Sequence, residues 1–524
     1  MQKIIKLLSK KINTKEVALI SILIIAYLSL LYYFSSFKFH YQEDEFITAY
    51  ISFFLPPSSK IDWFSVVPNK QDWLTQFPVF YFFIQKIFLK VLGPSLESIR
   101  ISTWPYHIIT VVYLYLIGKI YFVKRGLQQF LLLLIYILLA PNLYLSSLGL
   151  HFISSTAFFI ASFYYFLLII KKERIIYAIL CGVFIGLSYL TYSSSYITLP
   201  LLLFFILFEA ASKKTLKYVK LFGVSLIISL LIIFPFIFYA ITKDNFFIQR
   251  VNQVNLLNST EAQQQFKNGV SFFSVIANAA QINFKSLFTK DIGGINEYYF
   301  GHQALFNYLT FIILIIGVAC CISIFLRKIK QNTIYLYPPF IFFTTFFLGM
   351  VLTVPVGAFH RIYISFPFIA LIISIGIGLT FKKIKYHSAL ILGLIFLFGF
   401  SNLISVQKMI KEDQNISILT DSVYLDSLIK ENAKKESRIF VSAYPAYHIG
   451  KELLFRTGNL YKIKTDYFPY AFPLLRNSDF LVLQYPEISQ VNQLLSKFPN
   501  GKYIDFVGNY KFKYHGLFIT SEKH

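Results

Sequence analysis

The sequence predicts an α-helical polytopic membrane protein with a small α/β domain toward its C-terminal end. Apolar residues make up 56% of the 524, charged residues only 14%, and mean hydropathy is +0.60, which no ordinary soluble domain combines. Apolar runs of bilayer-crossing length, roughly 20 residues, recur along the chain. Lysine and arginine gather in alternate gaps between those runs.

Taken in order, residues 1–16 are polar and basic, with Lys3, Lys6, Lys10, Lys11 and Lys15, and lead into an apolar run from Val17 to about Phe37. No small-residue cleavage site follows it and more runs come after, so it reads as a retained first helix rather than a signal peptide. Further spans are expected near 101–122, 127–146, 150–170, 175–192, 194–211, 219–241, 305–326, 334–355, 362–381 and 387–406, about 11 in all.

The basic clusters Lys119, Lys124 and Arg125; Lys171, Lys172 and Arg174; Lys213, Lys214, Lys217 and Lys220; Arg327, Lys328 and Lys330; and Lys382, Lys383 and Lys385 fall in successive gaps on the side of the N-terminus. Only Glu16, Glu173 and Glu209 oppose them there. Positive residues stay inside, so the N-terminus is expected in the cytoplasm and the C-terminal domain outside a multi-pass cell (plasma) membrane protein. The same placement explains the net charge of +24 without nucleic acid. Cys181, Cys320 and Cys321 all lie in apolar runs and read as small packing residues.

The expected domains are a transmembrane unit over 1–406, with external loops at about 38–100 and 242–304, and an external α/β domain over 407–524. The first loop opens on Glu43-Asp44-Glu45, three carboxylates beside the first span. Acids at that depth are costly and point to a site. A helix is expected from Glu45 to Leu55, ending before Pro56-Pro57, with Asp44 and Glu45 at its N-terminal end where the helix dipole favours anions. Residues 77–92 suit a second interfacial helix, with Gln85, Lys86 and Lys90 toward one polar side.

The tail has a different texture. Strand-like runs at 438–443, 479–484, 503–507 and 516–520 are separated by helical stretches near 446–457 and 486–498. Tyr444-Pro445-Ala446-Tyr447-His448-Ile449-Gly450 is not a phosphate loop, which argues against a dinucleotide site.

One order of features runs through the chain: Glu43-Asp44-Glu45-Phe46-Ile47-Thr48-Ala49-Tyr50, then Asp72-Trp73, Gln76-Phe77-Pro78-Val79-Phe80-Tyr81, Leu92-Gly93-Pro94-Ser95 and Ile99-Arg100. Downstream come Gly186-Leu187-Ser188-Tyr189-Leu190-Thr191-Tyr192 and His360-Arg361-Ile362-Tyr363 with Pro367. This order resembles the GT-C glycosyltransferases, in particular the protein O-mannosyltransferase, aminoarabinose-transferase and Rgt-like group, over roughly residues 17–400. It departs from the family at Gln76-Phe77-Pro78, where Lys-Pro-Pro is usual, and at Tyr192, where Lys is usual.

The resemblance implies a GT-C fold with interfacial helices in the first external loop, a polyprenyl-phosphate-linked sugar as donor, and transfer with inversion to a glycan, lipid or protein. It assigns the acid pair to Asp44 and Glu45, and Asp72, Gln76 and Tyr81 to substrate binding. A carboxylate at the lipid surface can accept the proton of an attacking hydroxyl; Asp44 is the expected base, with Glu45 orienting acceptor or metal and Glu43 a solvated neighbour.

The leaving phosphate calls for cations. Arg100, Arg250 and Arg361 are the external arginines considered, and Arg361, which matches the family position, is the favoured donor-phosphate ligand with Arg250 and His360 beside it. Asp291, Glu297 and His302 show no tight metal-ligand spacing, so the chemistry leaves room for a divalent metal without requiring one, and no cofactor is assigned. Asn258-Ser259-Thr260 and Asn415-Ile416-Ser417 match glycosylation acceptors by pattern only. A transporter or flippase of lipid-linked sugars would need ionisable residues in mid-span, and a polymerase or ligase using a pyrophosphate-linked donor would need more external arginines.

Overall fold

The computed structural model describes residues 14–37, 43–55, 78–123, 126–242, 252, 254–290, 303–354, 357–380, 387–413, 438–442, 462–465, 475, 479–484, 488–505 and 515–520. Helix α1, Thr14–Ser35, is the first span. Two shorter helices follow, α2 at Glu43–Phe54 and α3 at Val79–Leu92. The short α4, Leu96–Ile101, runs into α5, Trp104–Tyr121, as one membrane-length unit.

The next span is broken into α6, Gly126–Leu138, and α7, Ala140–Ser146, which meet at 58°. Pro141, at the start of α7, cannot continue the ladder of α6. The Ala140 amide at the break donates instead to Asn402 Oδ1 at 2.9 Å, which keeps a backbone group satisfied inside the membrane unit.

Helices α8, Phe152–Lys172, α9, Ile175–Tyr189, α10, Thr198–Lys213, and α11, Lys217–Thr242, come next. Two helices, α12 at Thr260–Lys267 and α13 at Phe272–Ser286, occupy the second loop. Spans resume with α14, Tyr308–Arg327, and α15, Tyr337–Phe346, whose end loosens into a π turn at Phe347–Val351. A 3-10 segment at Phe359–Ser365 leads into α16, Phe366–Thr380, and α17, His387–Asp413, closes the set.

Every expected apolar run is thus helical. Among the described residues nine helices are long and apolar enough to cross a membrane, ten counting the bent pair, while α9 with 15 residues falls short. Helices α8 and α16 are buried along nearly their whole length, so the core of the bundle lies around them. Glycines let backbones close up: a Cβ on Gly376 would stand 2.7 Å from Gly317 Cα, fixing α14 against α16.

The expected polar side of α3 is corrected by the structure. Gln85 and Lys86 are buried and only Lys90 is exposed. The reason is that α3 packs against α2 by that edge: Ser52 Oγ donates to Gln85 Oε1 at 2.6 Å, and Lys86 Nζ donates to the Leu55 carbonyl. Burial, with Lys90 close by, draws the Lys86 ammonium below the ordinary lysine value.

The C-terminal residues form a five-stranded sheet from β1 (Arg438–Ser442), β2 (Lys462–Thr465), β3 (Phe480–Gln484), β4 (Lys502–Asp505) and β5 (His515–Ile519), ordered β2-β1-β3-β5-β4. Strand β1 is parallel to β2 and β3, whereas β5 is antiparallel to β3 and β4. Helix α18, Ile488–Lys497, covers a small core with Leu494 against Phe440, Leu481 and Phe518. Strand β2 escaped the sequence because Lys462-Ile463-Lys464-Thr465 is short and polar. The helix expected at 446–457 lies outside the described residues.

Candidate active site

Helix α2 begins at the acids and carries two of them into the protein. Asp44 is 7% exposed and Glu45 is fully buried. Thr48 Oγ1 donates to the Asp44 carbonyl at 2.8 Å and to the Glu45 carbonyl at 3.0 Å, tightening the first turn around the pair. For Glu43 the backbone is helical, and its side chain lies outside the described part.

The partner of Glu45 is Arg100. Its Nε donates to Glu45 Oε1 at 2.9 Å and its Nη2 to Oε2 at 3.1 Å, a two-point pair between buried groups. Arg100 Nη1 also donates to the Ser35 carbonyl, so one guanidinium joins the end of α1, the start of α2 and α4. Glu45 Oε1 accepts a further bond, from the Gly149 amide at 2.6 Å.

That approach needs a glycine. A Cβ at position 149 would lie 3.0 Å from both the carbon and the oxygen of the Ile99 backbone carbonyl. Glu45, expected to orient an acceptor or a metal, accepts three hydrogen bonds from two partners, which tie the helix start to Arg100 and Gly149.

Tyr81, expected at a substrate, is also buried, and its hydroxyl donates to the Gly149 carbonyl at 3.3 Å while accepting from Gln85 Nε2 at 3.3 Å. Burial, reinforced by Tyr106, holds its hydroxyl well above the ordinary tyrosine value, so it stays a donor. Ser52, Gln85, Tyr81 and Gly149 thus form a continuous chain that braces the loop on which Glu45 leans.

Beyond Gly149 the loop reaches the late spans. The His151 ring stands edge-on to Tyr192 at 4.7 Å, and Phe152 lies 5.8 Å from the His360 ring and 5.2 Å from that of Tyr363. Ser146 and Tyr363 hydroxyls meet at 2.6 Å. Arg361, next to His360 on the 3-10 segment, donates from Nη2 to the Val354 carbonyl at 2.8 Å. The structure thus gives Glu45 its cation from Arg100, and the loop that meets Glu45 at Gly149 continues to Phe152, which packs beside His360.

Asp72, Gln76 and Arg250 lie outside the described residues, as do Asp291, Glu297 and His302. Among the described residues no group of three or more His, Cys, Asp or Glu side chains could hold a metal ion.

The chain is similar in fold to solved structures. ArnT from Cupriavidus metallidurans bound to undecaprenyl phosphate matches at a TM-score of 0.55 and 9% identity, over 98% of this chain and 100% of that one. The same protein in the apo state matches at 0.55 and 10% identity, over 95% and 97%. The fold is that of the GT-C glycosyltransferases. Residues 76–239 match the family model of dolichyl-phosphate-mannose-protein mannosyltransferases, a stretch that runs from just before α3 through most of α11. No curated protein matches the sequence.

Within this GT-C fold, two residues of the acid cluster had little to mark them in the sequence. Arg100 stood among the external arginines, but nothing local coupled it to Glu45, 55 positions away. Gly149, 104 positions from Glu45, carried no signal beyond being a glycine between apolar runs.

Proposed function

We propose that the protein is an integral-membrane inverting glycosyltransferase that moves a sugar from a polyprenyl-phosphate donor to a glycan, lipid or protein acceptor on the external face. The observation that carries this reading is the buried acid pair: Asp44 at a helix start whose position is locked by Glu45, Arg100 and Gly149, in a chain with the GT-C fold. The mannosyltransferase-family match over 76–239 and the undecaprenyl phosphate named with ArnT support the donor class.

In this reading Asp44 takes the proton of the acceptor hydroxyl as its oxygen bonds to the anomeric carbon. The bond from that carbon to the phosphate oxygen breaks on the opposite side, and polyprenyl phosphate leaves with the electron pair. Arg361, with His360 and Arg250, meets the charge growing on the phosphate. Glu45 acts as the anchor of α2, and residues 407–524 form an external domain.

The test is sugar release from a labelled polyprenyl-phosphate sugar by the full chain in vesicles. Replacing a general base costs about 100-fold or more, so Asp44→Asn should lose at least that. Full activity in Asp44→Asn would remove the proposed base.

A further inference from the structure

Arg361 sits just beyond a stretch of backbone that has left regular helix. Helix α15 loosens into the π turn at 347–351, a feature often found at functional sites. The chain then passes Val354, whose carbonyl holds the Arg361 guanidinium, and Gly357, whose φ of 81° is open to glycine but strained for other residues. Something outside the spans must fix this stretch, because its own backbone ladder has ended.

Helix α13 does so through one side chain. Asn283 is fully buried, and its Nδ2 donates to the Met350 carbonyl at 3.1 Å and to the Ala279 carbonyl at 2.9 Å. Its Oδ1 accepts from the Gly357 amide at 3.2 Å. Two carbonyls on one side and an amide on the other leave only one orientation of the carboxamide. The side chain therefore grips the stretch before Arg361 at both ends, at 350 and 357.

Neighbouring contacts support the grip. The Leu256 amide donates to the Leu352 carbonyl at 2.9 Å, and the Val354 amide to the Val254 carbonyl at 2.8 Å. Val275, Ala279 and Leu256 pack on Val351 in a small core of their own.

We infer that Asn283 is a positioning residue for Arg361: from the second external loop it fixes Met350 and Gly357 on the approach to Arg361 and so aims the guanidinium at the donor phosphate. The inference rests on the reading of Arg361 as a ligand of that phosphate. Asn283 is fully buried and spends its carboxamide on backbone groups, so its effect is expected to pass through Arg361, and the two should not act independently.

The experiment measures undecaprenyl phosphate affinity of the detergent-purified full chain for Asn283→Ala, Arg361→Ala and the double variant. Each single change is expected to weaken binding about tenfold, and the double variant to bind about as weakly as Arg361→Ala alone. Asn283→Asp, which keeps the side-chain size and the acceptor for Gly357 but loses the donor to Met350, should fall between wild type and Asn283→Ala, and serves where the alanine variant does not fold. Wild-type affinity in both Asn283 variants, beside a weakened Arg361→Ala, overturns the inference and spares the phosphate reading. A double variant weakened by the product of the two single losses overturns it as well, since independent losses mean a purely structural role. Wild-type affinity in Arg361→Ala overturns the inference and the phosphate reading together.

Discussion

Glu45 receives hydrogen bonds from Arg100 twice and from Gly149 once, all among buried groups. Removing one member of such a buried pair strands the other charge, at a cost of about 3–5 kcal/mol. Arg100→Ala is therefore expected to lower the thermal midpoint sharply, while the Arg100→Ala, Glu45→Gln double variant should be less destabilised than the sum of the two; additive losses would dissolve the pair as a unit. Arg100→Lys should rescue little, because an ammonium cannot make the two-point contact. The pair was half legible: the acids stood out beside an apolar run, whereas their cation was one of three candidate arginines and Arg361 was favoured for a different task.

At the scale of elements, exposed and buried ion pairs divide cleanly. Glu16 and Lys119 meet at 2.6 Å but both are more than a third exposed, and such pairs contribute little. Glu209 differs. Read from sequence as a loop acid, it is fully buried, accepts hydroxyl bonds from Thr333 and Tyr337, and lies 3.0 Å from Lys213 Nζ. It pins α10 to the turn that opens α15. Glu209→Leu would leave both hydroxyls without an acceptor and is expected to cost about 1–2 kcal/mol, read as a fall in the unfolding midpoint in detergent, with Glu209→Gln retaining most of the stability. Equal midpoints for the leucine variant and wild type would refute the tie. Helix α3 teaches the same lesson: Gln85 and Lys86 looked like a wet face, yet they face α2 because its Ser52 and Leu55 offer partners.

For the whole molecule, the alternation of basic gaps carries a statement about sides. Reporter fusions after Arg125 and Lys330 should signal from the cytoplasm, and a fusion at His524 from outside. A cytoplasmic signal at His524 would put the sheet on the wrong side of the membrane for the proposed reaction. Among the described residues nine helices, or ten with the bent pair of α6 and α7, have crossing length against about 11 expected, so the same fusions test whether the short α9 crosses.

The sequence by itself determined the membrane class, the position of each apolar helix and the acid pair at the start of α2. A bilayer imposes length and apolarity on every span separately, so that information is local. Only the tertiary structure decided that Glu45 belongs to Arg100 and Gly149, that Glu209 is buried, and that Asn283 grips the approach to Arg361. Those contacts join side chains to partners tens of positions away, where no periodicity or spacing couples them.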